Sequence, residues 1–470
     1  MTKHSAFARA LRAGAAAVAL AVFAAAPAMA QKVVNVWHTE PNPRTKAVID
    51  GIIADFEKEN PGVKVVQEAL AWGDLDKKMQ AALASGAFPE VAHGQAYNER
   101  SLSAKGLLRP MNDVIASIGE QDIFPVVRKL NYNEKEKTYY GLAHAVGVDL
   151  TIYRKDMMRE AGLDPEKAPA TWREWIDQLK KLTDKSKGRY GLSLAGPGFF
   201  INEDIYMWVG SNGGRLFDEK GRPTFTEKPV IETLEFWKEL ADCCLAPDWL
   251  SRGYLDTFGD LATGKAAMIV GWGRGTDYFE QYAPDAVAKG DIGVFKTKPV
   301  GPSAGGKPFL TQFDSEAWMI FKNSKHPEEG AAFLKFFHRA DNYLKYIQSV
   351  PVHFFPVTQS LRTDPRYLAT PAFQKWKFWV DAQHEVIEKY EPKPVMITEW
   401  KDLDFPFIAE LANSTILVDM VTEVTRGQRT PVEAARRAFS SAACSITSRC
   451  ASSDRAARNA SPAAARRTLP

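Results

Sequence analysis

Cysteine is scarce in this chain, with four among 470 residues, and the placement of those four excludes more than their number does. Cys243 and Cys244 are adjacent, which makes a mutual bridge strained, while Cys444 and Cys450 fall in an odd tail. Neither a disulfide framework nor the spaced quartet of a structural metal site emerges from that pattern. Past the N-terminus no apolar run approaches the roughly 18 residues that cross a bilayer. A strong charge of either sign is also missing. The formal net charge is +3, but the first thirty residues carry three basic and no acidic side chains and the last thirty carry five Arg and one Asp, so the body sits at about −4. That argues against nucleic acid as a partner. Catalytic signatures are lacking too: there is no G-x-S-x-G elbow, no H-E-x-x-H and no Cys in a papain-like setting.

What is present begins with a targeting segment. Lys3, Arg9 and Arg12 give a basic start, an apolar run follows over residues 13–25, and Ala28-Met29-Ala30 is a small-residue cleavage pattern. Residues 1–30 therefore read as a secretory signal peptide, with an exported, soluble mature chain beginning at Gln31. The 440 residues that follow exceed one ordinary core, which stops growing at about 250–300 residues. Two domains or lobes are expected.

Strands and helices alternate through the first part. An apolar strand, VVNVWHTE, is followed by Val48, Ile52 and Phe56 at helical spacing, stopped by Asn60-Pro61-Gly62. A second strand, VKVVQEA, leads to a helix that Asp74 is placed to cap and Gly86 to end, and Pro89-Glu90-Val91 starts a third strand. This is an α/β pattern with a largely parallel sheet. Residues 139–156, TYYGLAHAVGVDLTIYRKD with its first Thr at 138, are an apolar stretch broken by Gly141 and Gly147. That is how a chain crossing between two lobes reads, with Asp149 at the crossing. A second α/β-like region follows. Thr171-Trp172-Arg173-Glu174 is a capping box, and Gly196-Pro197-Gly198-Phe199-Phe200 reads as a loop with paired aromatics. Gly271-Trp272-Gly273-Arg274-Gly275 matches neither the dinucleotide fingerprint nor a Walker loop and reads as a plain turn. Thr430-Pro431-Val432-Glu433 starts a last helix, and residues 440–470, rich in Ala, Ser and Arg, read as disordered or weakly structured.

Aromatic residues gather near turns and polar groups: Trp37, Trp72, Tyr97, Phe200, Trp208, Trp272, Phe313 and Trp400. Flat apolar faces stack on sugar rings, while carboxylates, amides and His exchange hydrogen bonds with hydroxyls. Together with Glu40, Asp149 and Asp314 the set suits a polyhydroxylated ligand. Each aromatic taken alone is more often core than contact. Acidic pairs such as Asp402 and Asp404, or Glu328 and Glu329, leave an exported glycoside hydrolase as the enzyme alternative, although a charged surface pair is the commoner origin of such spacing. A receptor feeding a chemosensor is a third reading.

Seven segments in order, VNVWHTE, FEKENPGVKVV, AALASGAFPEV, KGLLRPMNDVI, IYRKDMMREAGLDPEKAPATWREW, GKAAM and SKHPEEGAAFLKFF, span residues 33–438 loosely but in a specific sequence. They resemble family 1 extracellular solute-binding proteins, the periplasmic receptors of ABC importers for sugars, similar to those for maltose and glycerol 3-phosphate. The resemblance implies a two-lobed, type II periplasmic-binding-protein fold, α/β, each lobe a mixed sheet flanked by helices. It implies three hinge crossings, expected near 143–149, 270–275 and 312–318. One lobe would hold residues 31–144 and 272–315, the other 145–271 and 316–439. A carbohydrate-like solute would bind in the cleft, the lobes would close on it by a hinge motion, and a permease would read the closed form. No catalysis, cofactor or metal is implied, and the receptor is expected to be a periplasmic monomer of Gram-negative type that meets the membrane only through the permease.

Within that resemblance, Trp72 stands where glycerol-phosphate receptors have a ligand-contacting Tyr, and Asp314 where they have a cleft Gly. Phe354 falls near a cleft Tyr and Lys401 near a phosphate-holding Arg. A Glu contact aligns with Ala96, flanked here by Gln95 and Tyr97. Trp37, His38, Glu40, Asp149, Phe200 and Trp272 complete the expected binding set. Asp149 and Asp314 disfavour an anion unless basic groups offset them, which points to a neutral sugar, a polyol or a cationic derivative.

Overall fold

The structure is a computed structural model that describes residues 31–40, 42–196, 198–314 and 316–447, without the side chains of Trp72 and Thr447. The first strand, β1 (Lys32–His38), buries Val34, Val36 and His38 on one side, the alternation of a sheet with a covered face. Asn42 caps α1 (Pro43–Glu59) by accepting from the Arg44 N–H, and Ile49, Ile52, Ile53 and Phe56 form its buried face. The helix stops where the sequence indicates, with the Asn60 N–H turned back on Phe56. There follow β2 (Val63–Ala69), α2 (Trp72–Ser85), β3 (Val91–Gly94), α3 (Ala96–Ala104) and β4 (Gly141–Ala143). Gly86 ends α2 in the left-handed region at φ 74°. Asp74, expected as the cap of α2, lies inside its first turn instead, because Ala71 takes the cap position.

The second half of the scaffold is built from β5 (Leu150–Arg154), α4 (Trp172–Leu182), β6 (Tyr190–Ser193), α5 (Gly198–Ser211), α6 (Lys228–Cys243), β7 (Ala266–Gly271) and β8 (Ile292–Phe295). The chain then runs through β9 (Ala317–Ile320), α7 (Pro327–Phe337), α8 (Ala340–Ser349), α9 (Lys377–Tyr390), α10 (Ile416–Thr425) and α11 (Pro431–Thr447). One sheet has the order β2-β1-β3-β9-β4, with β1 to β3 parallel and β9 antiparallel to both its neighbours. The other has the order β8-β5-β7-β6, with only β6 and β7 parallel. Two mixed sheets flanked by helices make the two lobes. In the first, Phe56 of α1 meets Phe333 and Phe336 of α7 edge-on, each with ring centroids 5.4 Å apart. In the second, Trp172, Trp175, Trp208 and Phe236 interlock between α4, α5 and α6.

Two of the expected crossings join the sheets. Residues 144–149 lead from β4 to β5, and residues 311–314, on the way from β8 to β9, run in the opposite direction alongside them. They are laced by the Asp149 N–H to the Gln312 carbonyl, 3.1 Å, and the Asp314 N–H to the Gly147 carbonyl, 3.0 Å. A third segment joins this ribbon: Val146 and Phe355 exchange both main-chain hydrogen bonds, at 3.1 and 2.9 Å. The turn at 270–275 is different, since β7 before it and β8 after it both belong to the second sheet. Its boundary shifts accordingly. β8 lies inside the stretch assigned to the first lobe but pairs in the second sheet, and β9 does the reverse.

Three further expectations are corrected. Phe199 and Phe200 stand on the first turn of α5 rather than in a loop. Cys243 and Cys244 are joined to each other as a disulfide at the end of α6. The final helix runs to Thr447, past the change of composition at Ser440. Its inward face is made of Ala434, Ala438 and Ala442, buried at a spacing of four, so the stripe is helical in period but carries too little apolar bulk to stand out. The rest of the tail and the signal segment lie outside the described residues.

Candidate functional site

Where the chain passes between the sheets, charged side chains are buried in two adjoining groups. Glu40 follows β1 of the first lobe, and Arg274 lies in the glycine-rich turn after β7 of the second. Both guanidinium nitrogens donate to the Glu40 carboxylate, at 2.8 and 2.9 Å, with Glu40 fully buried. Burial works against the Arg274 charge, but Glu40, with Glu316 behind it, outweighs that and holds its pKa above the ordinary Arg value. The turn is drawn in tightly. A Cβ on Gly273 would lie 2.2 Å from the Val352 carbonyl oxygen and one on Gly147 2.8 Å from that of His353.

The second group is acidic. Asp149 and Asp314 stand on the two antiparallel passages, and Glu203 and Asp204 project from α5, a helix otherwise buried nearly all round. Lys298 donates to Asp149 Oδ2 at 2.6 Å and is itself buried. Burial first, then the charges of Asp149, Asp204 and Asp314, push Glu203 well above the carboxylate range. Burial and Asp149 raise Asp204 to about 8, against the pull of Lys298. Burial and Glu316 raise Asp314 to about 8, against His144 and Arg274. Burial, with Asp76 and Glu203 adding to it, raises the Tyr97 phenol, so Glu203 of the second lobe acts on a side chain of the first.

His93, His144 and Glu316 bring three candidate ligand atoms within 4.8 Å of one another, the one such group among the described residues. The His rings stack with centroids 4.4 Å apart and planes 20° from parallel. Lone pairs lie in the ring planes, so these two run side by side instead of converging on one ion. Glu316 Oε2 is 2.9 Å from His144 Nε2, and the Tyr346 hydroxyl is 2.7 Å from His144 Nδ1. The group reads as a hydrogen-bonded support beneath the passages.

Of the residues expected from sequence, Glu40, Tyr97, Asp149, Trp272, Asp314 and Phe354 come together around this centre. Trp272 meets His353 edge-on at 6.3 Å. The Phe354 ring lies 5.4 Å beneath the Arg274 guanidinium. Asp314 Oδ2 is 3.9 Å from His353 Nε2. Phe200 stacks on Tyr254 at 5.0 Å, and Tyr254 in turn feels Arg274, Glu203 and Asp149. His38 sits one layer back, bonded to Gln67 at 2.8 Å and accepting from the Glu40 N–H. Gln95 takes the cap position of α3, where its N–H donates to Asn98 Oδ1 at 2.9 Å. Trp37 lies elsewhere, packed on the small cluster around Met79 and Ala92 with the Lys78 ammonium 4.4 Å over its ring. Lys401 pairs with Glu219, away from the group. Trp72 begins α2, and its side chain lies outside the described residues.

Sequence reading missed Glu203, Asp204, Arg274 and Lys298. The first two had a signal, an acidic pair inside the apolar run FFINEDIYMWVG; Arg274 and Lys298 are recognisable only by what the fold sets beside them. The acidic pairs weighed for hydrolysis have other partners. Asp402 accepts from the Thr398 hydroxyl and from two N–H groups, and Glu328 and Glu329 pair with Arg109 and Lys32.

Known proteins share this architecture. YcjN of Escherichia coli K12, named as an ABC transporter periplasmic-binding protein, is 22% identical over 401 residues, covering 84% of this chain and 88% of that protein. The mannitol-binding protein of Pseudomonas aeruginosa PAO1 is 26% identical over 219 residues, 46% of this chain and 49% of its own length. An ABC transporter solute-binding protein from Agrobacterium radiobacter K84, solved with ribitol, superposes with a TM-score of 0.73 at 22% identity, covering 87% of this chain and 98% of that one. The model of the bacterial extracellular solute-binding protein family matches residues 41–343. The chain belongs to that family of ABC-transporter binding proteins, which are receptors and not enzymes.

Proposed function

We propose that this chain captures a small polyhydroxylated solute, a sugar or an alditol, between its lobes and delivers it to the membrane subunits of an ABC importer. The observation that carries the reading is the cluster at the passages. Glu203 of one lobe is within electrostatic reach of Asp149 and Asp314 on the connecting strands and of Tyr97 of the other lobe, so a solute bound there touches both lobes at once. Carboxylates orient hydroxyls, and the rings of Tyr97 and Trp272 supply flat apolar faces. Relatives named for mannitol and solved with ribitol support an alditol-like frame. Binding stabilises only the form that holds the solute, which is what a permease needs in order to distinguish loaded from empty receptor. The basic, apolar N-terminal segment with its Ala-Met-Ala site fits export to a Gram-negative periplasm, where a monomer would serve.

A thermal-shift screen of sugars, alditols and their derivatives tests this, because a ligand of the folded state raises its Tm. At least one member is expected to raise Tm in a dose-dependent way; no shift across sugars, alditols and their amino derivatives would contradict the reading.

A further inference from the structure

We propose that the solute is cationic, a polyhydroxylated molecule bearing a protonated amine such as an amino sugar or amino alditol, held by Glu203 and Asp204. This rests on the reading of the interlobe site as the solute site and narrows its chemistry. The site holds four carboxylates, Asp149, Glu203, Asp204 and Asp314, and the nearby cations are already engaged. Lys298 is bonded to Asp149, and Arg274 gives both its terminal nitrogens to Glu40. Among the described residues no hydrogen bond or ion pair reaches the carboxylate of Glu203 or Asp204, although they are 6% and 9% exposed. A buried carboxylate without a partner costs several kcal/mol in general, so either protons or a cation must compensate.

A second observation favours the cation. Asp149 Oδ1 and Gln312 Oε1 are buried acceptors with no partner. The Gln312 amide is oriented unambiguously, since its Nε2 donates to the Glu203 main-chain carbonyl at 3.2 Å, which leaves Oε1 as an acceptor. Two buried acceptors of the centre are thus without a donor, beside one unpartnered hydroxyl, that of Tyr254. An ammonium brings three donors and a positive charge, whereas each hydroxyl of a neutral polyol brings one donor along with lone pairs that face further acceptors. An anionic solute would meet these carboxyl groups, and the two cations beside them, Lys298 and Arg274, are already bonded to Asp149 and Glu40.

Matched pairs decide the matter. Calorimetric titrations would compare glucosamine with glucose, and 1-amino-1-deoxysorbitol with sorbitol, on wild type and on the Glu203→Gln/Asp204→Asn double variant. The expected result is at least tenfold tighter binding of an amine than of its neutral partner, lost in the double variant. If that variant does not fold, wild-type titrations in buffers of different ionisation enthalpy serve instead, with proton release expected on binding the amine below about pH 8. Tighter or equal binding of the neutral partner overturns the cation while leaving a polyol receptor. No binding by either member of either pair, together with a blank thermal-shift screen, overturns the reading of the site itself.

Discussion

Glu40 and Arg274 join the two lobes through a single buried ion pair, and its energetics are asymmetric. Taking both charges out of water costs about as much as their attraction returns, but removing one partner leaves the other buried and uncompensated. Arg274→Met should therefore destabilise the protein by about 3–5 kcal/mol in denaturant unfolding. Glu40→Leu/Arg274→Met should recover most of that loss, and a double variant as unstable as the single one would show that the pair is not what the site depends on. The acidic centre makes a separate prediction. Asp204 and Asp314 have folded-state pKa values of about 8 against 3.8 for the free side chain. The folded protein therefore holds these protons more tightly than the unfolded chain. The stability they contribute is complete below about pH 4 and is lost as pH rises toward about 8. The groups facing them are Asp149, Glu203, Glu316, Lys298, His144 and Arg274. The Tm of the ligand-free protein should fall from about pH 5 to about pH 8, and Asp204→Asn should flatten the profile; a Tm that rises over this interval would contradict it.

At the level of elements, the passages work because glycine lets them touch. Gly273 and Gly147 bring their turns against the backbone of residues 352 and 353, where a Cβ has no room. Neither has positive φ, so the constraint is space. Gly273→Ala should cost about 1–3 kcal/mol through overpacking, with a lowered Tm as the readout, and an unchanged Tm would mean the turn can withdraw freely. The first passage was legible in sequence because Gly141 and Gly147 interrupt an apolar run and Asp149 stands in a stretch that periodicity assigns to burial. Helix α1 and its stop at Asn60 were legible for the same reason, local pattern. The turn at 270–275 was not, because whether a strand's successor stays in its own sheet depends on distant pairing partners, such as Tyr190 for Ala266 and Arg154 for Ile292. The last turns of α11 were missed since Ala434, Ala438 and Ala442 form a face without bulk. Arg274 was hidden in a turn whose glycines drew attention to phosphate, although the fold uses it to bind Glu40.

For the whole molecule, two mixed sheets are joined by the laced passages at residues 144–149 and 311–314. Charged groups are expensive to bury unless something compensates them, and this chain buries six carboxylates, Glu40, Asp149, Glu203, Asp204, Asp314 and Glu316, where its lobes meet. That pattern is intelligible if a solute completes the centre and the closed form exists chiefly with solute in place. Asp314 is the group that tests it, since it lies on a connecting strand, belongs to neither flanking helix layer, and is within reach of both Glu203 and His353. The most direct measurement is calorimetric titration of the best solute from the thermal-shift screen into wild type and Asp314→Asn. Binding at least tenfold weaker in the variant, about 1.4 kcal/mol, with Tm of the empty protein retained, is the predicted result; unchanged affinity would contradict a solute site between the lobes.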